Sequence, residues 1–273
     1  MPPAKKRLRS YDPAKIRTAV LAQFGNVREA IRTLTPDQLA LPTGLGDWAV
    51  RDLVAHLTVV VGAIGGGLEQ AEPPPGPVVP LLDWPFATAT YAGAISEDVA
   101  RIAAESVPVE AGSAAGAEEL FTLAASRIDA LLPGAPDDRL VATRVGAMRL
   151  ADFLVTRTVE LIVHTDDLNR ATGLSVPYDR QALAACTRLL ADALAVKAPG
   201  ASTEVRIPPF AVVQCVEGPR HTRGTPPNVV ETDPLTWIRL ATGRTSWHEE
   251  LDAARVSASG ERADLGGLLP LMG

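Results

Sequence analysis

The sequence predicts a two-domain protein, an all-α helical bundle followed by an α+β domain. Its 273 residues suffice for two domains of ordinary size, each with its own core. Apolar residues recur at helical spacing through most of the first 170 residues. After Gly173 the pattern changes to short strand-like runs separated by loops rich in Pro and Gly. We therefore divide the chain into a basic tail (1–12), a helical bundle (13–173) and an α+β domain (179–273).

Composition and charge exclude several classes of function. A net charge of −6 argues against a protein that mainly binds the nucleic-acid backbone. The basic run Lys5–Arg9 is followed by no apolar segment, which predicts a solvated tail rather than a secretory signal. No window approaches eighteen continuous apolar residues, so we expect no membrane span. We accordingly expect a cytoplasmic monomer or homodimer in which Cys186 and Cys215 are buried thiols.

Two helices open the bundle. The first covers residues 13 to about 35, where apolar side chains recur every three to four positions. A short turn and the Pro- and Gly-containing loop 41–48 follow, and the second helix runs from Val50 to Leu68. We expect Gly65–Gly67 to end this helix as a C-cap. We expect no phosphate-binding loop there, because no Lys-Ser or Lys-Thr follows the glycines.

The rest of the bundle is interrupted by the proline-rich segment Glu72–Pro80, which is either a crossover or a lid over a cleft. Helices are predicted at 88–106 and 117–132, a strand at 140–143 and a long helix at 148–168. Helices joined by loops of moderate length are typical of an up-and-down bundle.

The C-terminal half alternates between helices and strands. We predict strands at 203–207, 211–216, 229–231 and 255–259. Helices are predicted at 179–196, 233–242, 246–253 and 263–271, with Asp233 and Ser246 as N-caps. The loop 217–228 is dense in Pro, Gly and charged residues.

The stretch Met148–Leu168 organises the chain. It lacks Gly and Pro and is apolar on nearly every side, which indicates a buried helix. Glu160 and His164 are four residues apart within it, so they share one face, roughly 5 to 6 Å apart at Cβ. Burying such groups without a partner is costly. Either a divalent metal ion satisfies them, or hydrogen bonds and a pairing with Arg157 do.

A further candidate ligand is His56, in the middle of the second helix. If the two helices are neighbours, His56 joins Glu160 and His164, and two imidazoles with one carboxylate form a typical catalytic zinc site. Asp52 or Asp167 would then accept the second ring N–H of a ligand histidine and fix its orientation. The alternative for each histidine is a hydrogen-bonded core residue.

Two segments carry a resemblance. Trp48–His56 resembles the tryptophan-to-histidine signature of the mycothiol-dependent maleylpyruvate isomerase family, and Glu160–Gly173 resembles its second signature, including Asp167. The resemblance covers residues 13–173 and implies a DinB-like four-helix bundle. In it His56, Glu160 and His164 would hold a divalent metal, usually zinc.

The C-terminal half carries a second resemblance. Residues 233–244 and 255–264 resemble the sterol-carrier-type fold that is appended to many such proteins. The bundle also departs from the family pattern at three positions. Ala49 stands where the family often has Thr or Ser, and Thr165 and Asp166 follow His164 where a small residue and an aromatic residue are common. Asp166 thereby adds a carboxylate near the predicted metal.

These features lead to an enzyme hypothesis. The metal would hold a low-molecular-weight thiol, mycothiol by resemblance, as a thiolate that adds to an electrophilic small molecule. The outcome is isomerisation if the thiol leaves and S-transfer if it stays. Water in the same position would give a hydrolase. The alternative from another class is a carrier that holds a lipid or other apolar ligand in its C-terminal half.

Arg220 and Arg223, in the loop 217–228, are candidate catalytic residues. Arg binds carboxylates through two parallel hydrogen bonds, so the pair could clamp an anionic substrate. The alternative is a solvated turn paired with Glu217 and Glu231.

Overall fold

The computed structural model describes residues 9–73, 76–88, 114–219 and 227–272. It confirms the predicted fold class, a helical N-terminal region followed by a domain of helices and one sheet. The helices of the first region are α1 (Pro13–Arg32), α2 (Pro36–Leu39), α3 (Val50–Glu69), α4 (Ala114–Leu131) and α5 (Leu150–Thr172). Single 3₁₀ turns lie at Leu81–Asp83 and Leu132–Gly134, and residues 84–88 are helical.

Local chemistry sets the ends of the bundle helices. Asp12 caps α1, because its carboxylate accepts hydrogen bonds from the N–H groups of Ala14 and Lys15, and Pro13 occupies the first turn. Helix α5 ends at Gly173, which adopts the left-handed conformation with φ 72°. Helix α3 packs against α4 and α5, and α1 packs against α5. The long helix α5 is therefore covered on two sides by bundle helices.

The three consecutive glycines of α3 do not end the helix, which corrects the predicted C-cap. The helix continues to Glu69. A Cβ added to Gly65 would lie 2.8 Å from Cβ of Arg127, and one on Gly67 would lie 2.6 Å from Cγ1 of Val141. These two glycines serve close packing, because only a residue without Cβ lets α4 and the first strand approach so closely.

Helix α3 is also long and apolar enough to span a membrane by length and composition alone. We had expected no such segment. In the fold it packs between α4 and α5 and buries eleven of its residues. Its apolar character is accounted for by this position in the core.

A two-stranded hairpin stands before α5. Strands β1 (Leu140–Thr143) and β2 (Gly146–Arg149) pair antiparallel, and the N–H of Val79 bonds to the carbonyl of Ala147 at 2.8 Å. Strand β2 occupies positions that we assigned to the start of the long helix, so α5 begins at Leu150 instead. The described part of the proline-rich segment thus runs beside this hairpin. Most of the helix predicted at 88–106 lies outside the described residues.

The second region contains α6 (Arg180–Lys197), α7 (Pro234–Ala241), α8 (Trp247–Asp252) and a four-stranded sheet. Its strands are β3 (Thr203–Ile207), β4 (Ala211–Cys215), β5 (Val229–Thr232) and β6 (Val256–Ser259), in the order β4-β3-β5-β6. Strands β3 and β5 pair parallel, and the other pairs are antiparallel. The helix predicted at 263–271 is a single 3₁₀ turn, Gly266–Leu268. Cys186 and Cys215 are both buried, as predicted.

Helix α6 joins the two regions. It packs against α1 and α5 of the bundle and against β4 and α7 of the second region. At its side, Nε of Arg9, from the predicted solvated tail, donates to Oδ2 of Asp192 at 2.8 Å. The end of the tail is therefore bound to α6, and the hydrophobic core is continuous between the regions.

Candidate metal centre

Three predicted ligands meet between α3 and α5. One ligand atom each of His56, Glu160 and His164 lies within 4.8 Å of the other two. Nε2 of His56 and Nε2 of His164 lie 3.7 Å and 3.2 Å from the same oxygen, Oε2 of Glu160. Their side chains are only 9%, 8% and 15% exposed for His56, His164 and Glu160. Two imidazoles and a carboxylate converging in this way suit a divalent ion, with zinc the usual choice.

Asp167 lies where we predicted an orienting carboxylate. Its Oδ2 is 3.0 Å from Nδ1 of His164, which leaves Nε2 of that ring facing Glu160. Arg244 then donates to Asp167 through Nε at 3.3 Å and Nη2 at 3.1 Å. The second region therefore holds the carboxylate that fixes His164.

Asp52 has a different position from the predicted one. Its Oδ2 accepts the backbone N–H of Ala49 at 2.9 Å, which satisfies the first turn of α3 where Ala49 offers no side-chain cap. His56 instead packs against the Trp48 ring, with centroids 5.4 Å apart. Nδ1 of His56 is buried and has no hydrogen-bond partner among the described residues. Of the two carboxylates predicted to accept a ring N–H of a ligand histidine, Asp167 lies at His164 and Asp52 caps α3 instead.

The electrostatics of Glu160 and His56 favour charge states that bind cations. Burial raises the pKa of Glu160, but bonds from His164 and His56 and the charge of Arg157 outweigh it and hold that pKa well below its ordinary value. Burial lowers the pKa of His56. For His164, burial is outweighed by Asp167 and Glu160, so its pKa is raised. At neutral pH the cluster thus offers an ionised carboxylate and, at His56, a neutral imidazole.

The cluster opens on a groove of about 540 Å³ between α3, α5 and the β1–β2 hairpin. Arg157 lines it beside Glu160, with Nη2 3.8 Å from Oε1 of Glu160. Most of the remaining walls are apolar. They include Val59, Val60, Ala63, Trp84, Val145 and Phe153. The arrangement can therefore admit a small molecule to the ligand cluster.

Asp166 forms a second buried ion pair, next to the pair of Asp167 and Arg244. Arg239 donates to both oxygens of Asp166, at 2.7 and 2.6 Å, and the hydroxyl of Tyr178 donates to the same carboxylate at 3.1 Å. Sequence reasoning missed Arg239 and Arg244 as partners of the two aspartates. The signal was the pair Asp166-Asp167 in a buried run, since two adjacent buried carboxylates require two cations.

Arg220 and Arg223 lie outside the described residues, so the carboxylate clamp stays a prediction. The neighbouring Glu217 and Glu231 are described, and neither has an ion pair within the described part of the chain.

Comparison with known proteins gives the family. Residues 20–169 match the family described as "Mycothiol maleylpyruvate isomerase N-terminal domain", and residues 179–271 match the one described as "Bacterial SCP ortholog". Crystal structures of the mycothiol-dependent maleylpyruvate isomerase and of its histidine-to-alanine variant are similar to this chain. Each has a TM-score of 0.60 and 13% sequence identity to this chain. Each match covers 96% of this chain and 97% of the chain in the solved structure. No curated protein matches it. The first match spans more than half of the sequence, and the chain therefore belongs to the mycothiol maleylpyruvate isomerase N-terminal domain family.

Proposed function

We propose that the protein is a cytoplasmic, metal-dependent enzyme that uses a mycothiol-type thiol to attack an electrophilic small molecule, as an isomerase or an S-transferase. Family membership supports the thiol, because the similar solved structures bear the name of a mycothiol-dependent isomerase. The observation that carries the proposal is the buried cluster of His56, Glu160 and His164 at the end of an apolar groove.

The residues fit a divalent ion. An ionised carboxylate buried beside two imidazoles costs desolvation energy that a cation would offset. Bound there, the ion would keep a thiol ligand ionised at neutral pH and so supply the thiolate nucleophile with which both isomerisation and S-transfer begin. Three protein ligands are also the usual number in catalytic zinc sites, which leave a position for substrate.

The chain's own side chains prepare this site. Asp167 holds the ring of His164 in one orientation through its Nδ1. Arg157 places a positive charge beside the cluster, where an anionic group of a substrate would be attracted. The apolar walls of the groove exclude water, which strengthens these electrostatic interactions.

Metal analysis and cobalt spectroscopy test the proposal. We expect one divalent ion per chain, lost in His56→Ala and Glu160→Ala but kept in His248→Ala, which changes a histidine far from the cluster in sequence. In the cobalt-substituted protein, a thiol should add a sulfur-to-cobalt charge-transfer band that the corresponding alcohol does not. A metal-free protein, or a spectrum that thiols leave unchanged, contradicts the proposal. Thiol consumed in step with product then identifies a transferase, and thiol conserved identifies an isomerase.

A further inference from the structure

The groove follows one face of α3 for several turns. His56, Val59, Val60, Ala63, Gly66, Gly67 and Gln70 line it at helical spacing. At a rise of about 1.5 Å per residue, Gly66 lies ten positions after His56 and therefore about 15 Å further along the helix. The groove is therefore elongated, with the ligand cluster towards one end and small residues towards the other.

Gly66 keeps the far half of the groove open. A Cβ on Gly65 or Gly67 would collide with a neighbouring side chain, whereas one on Gly66 meets nothing within 4 Å. Since Gly66 also lines the groove, a larger side chain at this position would extend into the groove rather than strain the helix. The space next to Gly66 is thus available to a ligand.

Two arginines line the groove, Arg144 in the hairpin and Arg157 beside the ligand cluster, and Arg157 is the one near the Glu160 end. Its side chain is only 14% exposed. Its one hydrogen bond within the described part of the chain runs from Nε to the hydroxyl of Thr156 at 3.2 Å, and Nη2 is too far from Glu160 for another. The guanidinium lies over the Phe153 ring, with Cζ 5.1 Å from its centroid, and lines the groove, where a carboxylate would match its geometry with two hydrogen bonds.

We propose that the substrate is a carboxylate with an extended apolar chain, bound with its carboxylate at Arg157 and its chain along α3 towards Gly66. This inference rests on the proposed function and adds the class of the electrophile. A thiol whose remainder is rich in hydroxyl groups fits the stretch lined by Val59, Val60 and Phe153 poorly, because those groups would lose their hydrogen bonds to water there. The polar part of the thiol therefore lies outside this stretch of the groove.

Calorimetric titration with straight-chain alkanoates of four to twelve carbons, below their micelle concentrations, tests this directly. We expect affinity to rise roughly fourfold per added methylene until the groove is filled, since each buried methylene contributes about 0.8 kcal/mol. The alcohol of equal length should bind at least tenfold more weakly, because it lacks the charged hydrogen bonds to Arg157. An affinity that is independent of chain length, or equal for alcohol and alkanoate, overturns the inference.

Two variants locate the two ends of the ligand. Gly66→Leu should abolish the gain for long chains and leave butanoate binding unchanged. Gly25→Leu is its matched control, because Gly25 is also helical, an added Cβ there also meets nothing within 4 Å, and it lies in α1 away from the groove. Arg157→Met should remove the preference for alkanoate over alcohol, and Arg157→Lys should restore part of it. Equal losses for short and long chains in Gly66→Leu would contradict the assignment.

Repeating the titrations after chelator treatment separates this inference from the proposed function. A carboxylate could also bind a metal ion directly, but in chelated protein a preference that depends on Arg157 can come only from the chain. If the chelated protein shows both the chain-length series and the Arg157 dependence, the inference holds even where the metal and thiol tests fail. If the metal and thiol tests succeed but the affinity for alkanoates does not change with chain length, only this inference fails.

Discussion

Helix α5 carries buried charge in two places about two turns apart, and they differ in how completely their polar groups are hydrogen-bonded. Around Glu160, neither Nδ1 of His56 nor the terminal nitrogens of Arg157 have a hydrogen-bond partner among the described residues. Around Asp166 and Asp167, every carboxylate oxygen accepts at least one bond, from Arg239, Arg244, Tyr178 or the His164 ring. The first site is incomplete, whereas the second is closed.

This difference distinguishes a site that can bind a ligand from a site that only stabilises the fold. A fully satisfied buried polar network stabilises one arrangement and requires nothing more, while an incomplete one is costly until a ligand supplies the missing partners. We therefore propose the cluster at Glu160 as the place for a metal ion and a substrate. The aspartate pair holds the second region against the bundle. Only His164 takes part in both sites.

The largest effect is expected for Glu160→Gln. The amide keeps the shape but loses the charged ligand. Structural zinc sites bind with about 10 to 16 kcal/mol over four ligands, so the loss of one ligand should weaken zinc binding roughly a hundredfold or more. Competition with a chromophoric chelator measures this. An unchanged zinc affinity would show that the cluster does not bind the ion and would remove the contrast between the two sites.

The next largest effect is expected at the closed site, the pair Asp166 and Asp167. Asp166→Asn should lower the free energy of unfolding by about 2 kcal/mol, because Arg239 loses its buried charged partner. Zinc affinity should stay unchanged. Asp137→Asn is the control, since the carboxylate of Asp137 also pairs with an arginine but is 46% exposed, and exposed pairs contribute less than about 1 kcal/mol. Urea unfolding gives both values, and similar losses in the two variants would contradict the assignment.

The free energy of unfolding should depend on pH through Asp167, by an amount similar to the loss expected for Asp166→Asn. Burial would raise its pKa, but His164 and Arg244 outweigh burial and lower the pKa from 3.8 to about 2. A pKa that is lower in the folded state contributes stability that is present above about pH 4 and is lost as the pH falls through about 2, roughly 2 kcal/mol in total. In chelator, the stability advantage of wild type over Asp167→Asn should shrink by that amount between pH 5 and pH 2. A stability difference between the two proteins that stays constant from pH 5 to pH 2 would refute the lowered pKa of Asp167.

A smaller effect should distinguish the two arginines. Arg244→Met should weaken zinc binding about tenfold, because a ligand's orienting partner is worth about ten- to a hundredfold and Arg244 acts one step further away, through Asp167. Arg239→Met is the matched control, since its aspartate does not touch His164. It should destabilise the fold without changing zinc affinity. Equal zinc affinities in the two variants would show that the second region does not position the ligand.

The sequence predicted what depends on local spacing. Glu160 and His164 are four residues apart, so their shared face follows from helix geometry alone. His56 is 104 positions away from Glu160. Its place in the cluster required the resemblance, because a single sequence does not say which helices are neighbours. The partners Arg239 and Arg244 lie 73 and 77 positions from their aspartates. The aspartate pair indicated that two cations were needed, but no local pattern showed which arginines would supply them.

The errors have the same physical origin. Three consecutive glycines favour a helix end by their conformational freedom, but in α3 close packing against Arg127 and Val141 decided their role. Gly146–Arg149 was too short to show alternation beside the strong helical pattern that follows it. In each case a tertiary contact outweighed the local preference.

The smallest effect concerns Asp52, which was expected beside the metal and instead caps α3. Asp52→Ala removes the acceptor for the N–H of Ala49, and a lost cap costs about 1 kcal/mol. The free energy of unfolding should fall by that amount while zinc affinity stays within twofold of wild type. Asp52→Asn retains an acceptor oxygen and should recover most of the stability. If Asp52→Ala instead weakens zinc binding tenfold with little change in stability, the carboxylate orients His56 in solution. The open site would then have a partner for Nδ1, and its contrast with the aspartate pair would be smaller than the structure indicates.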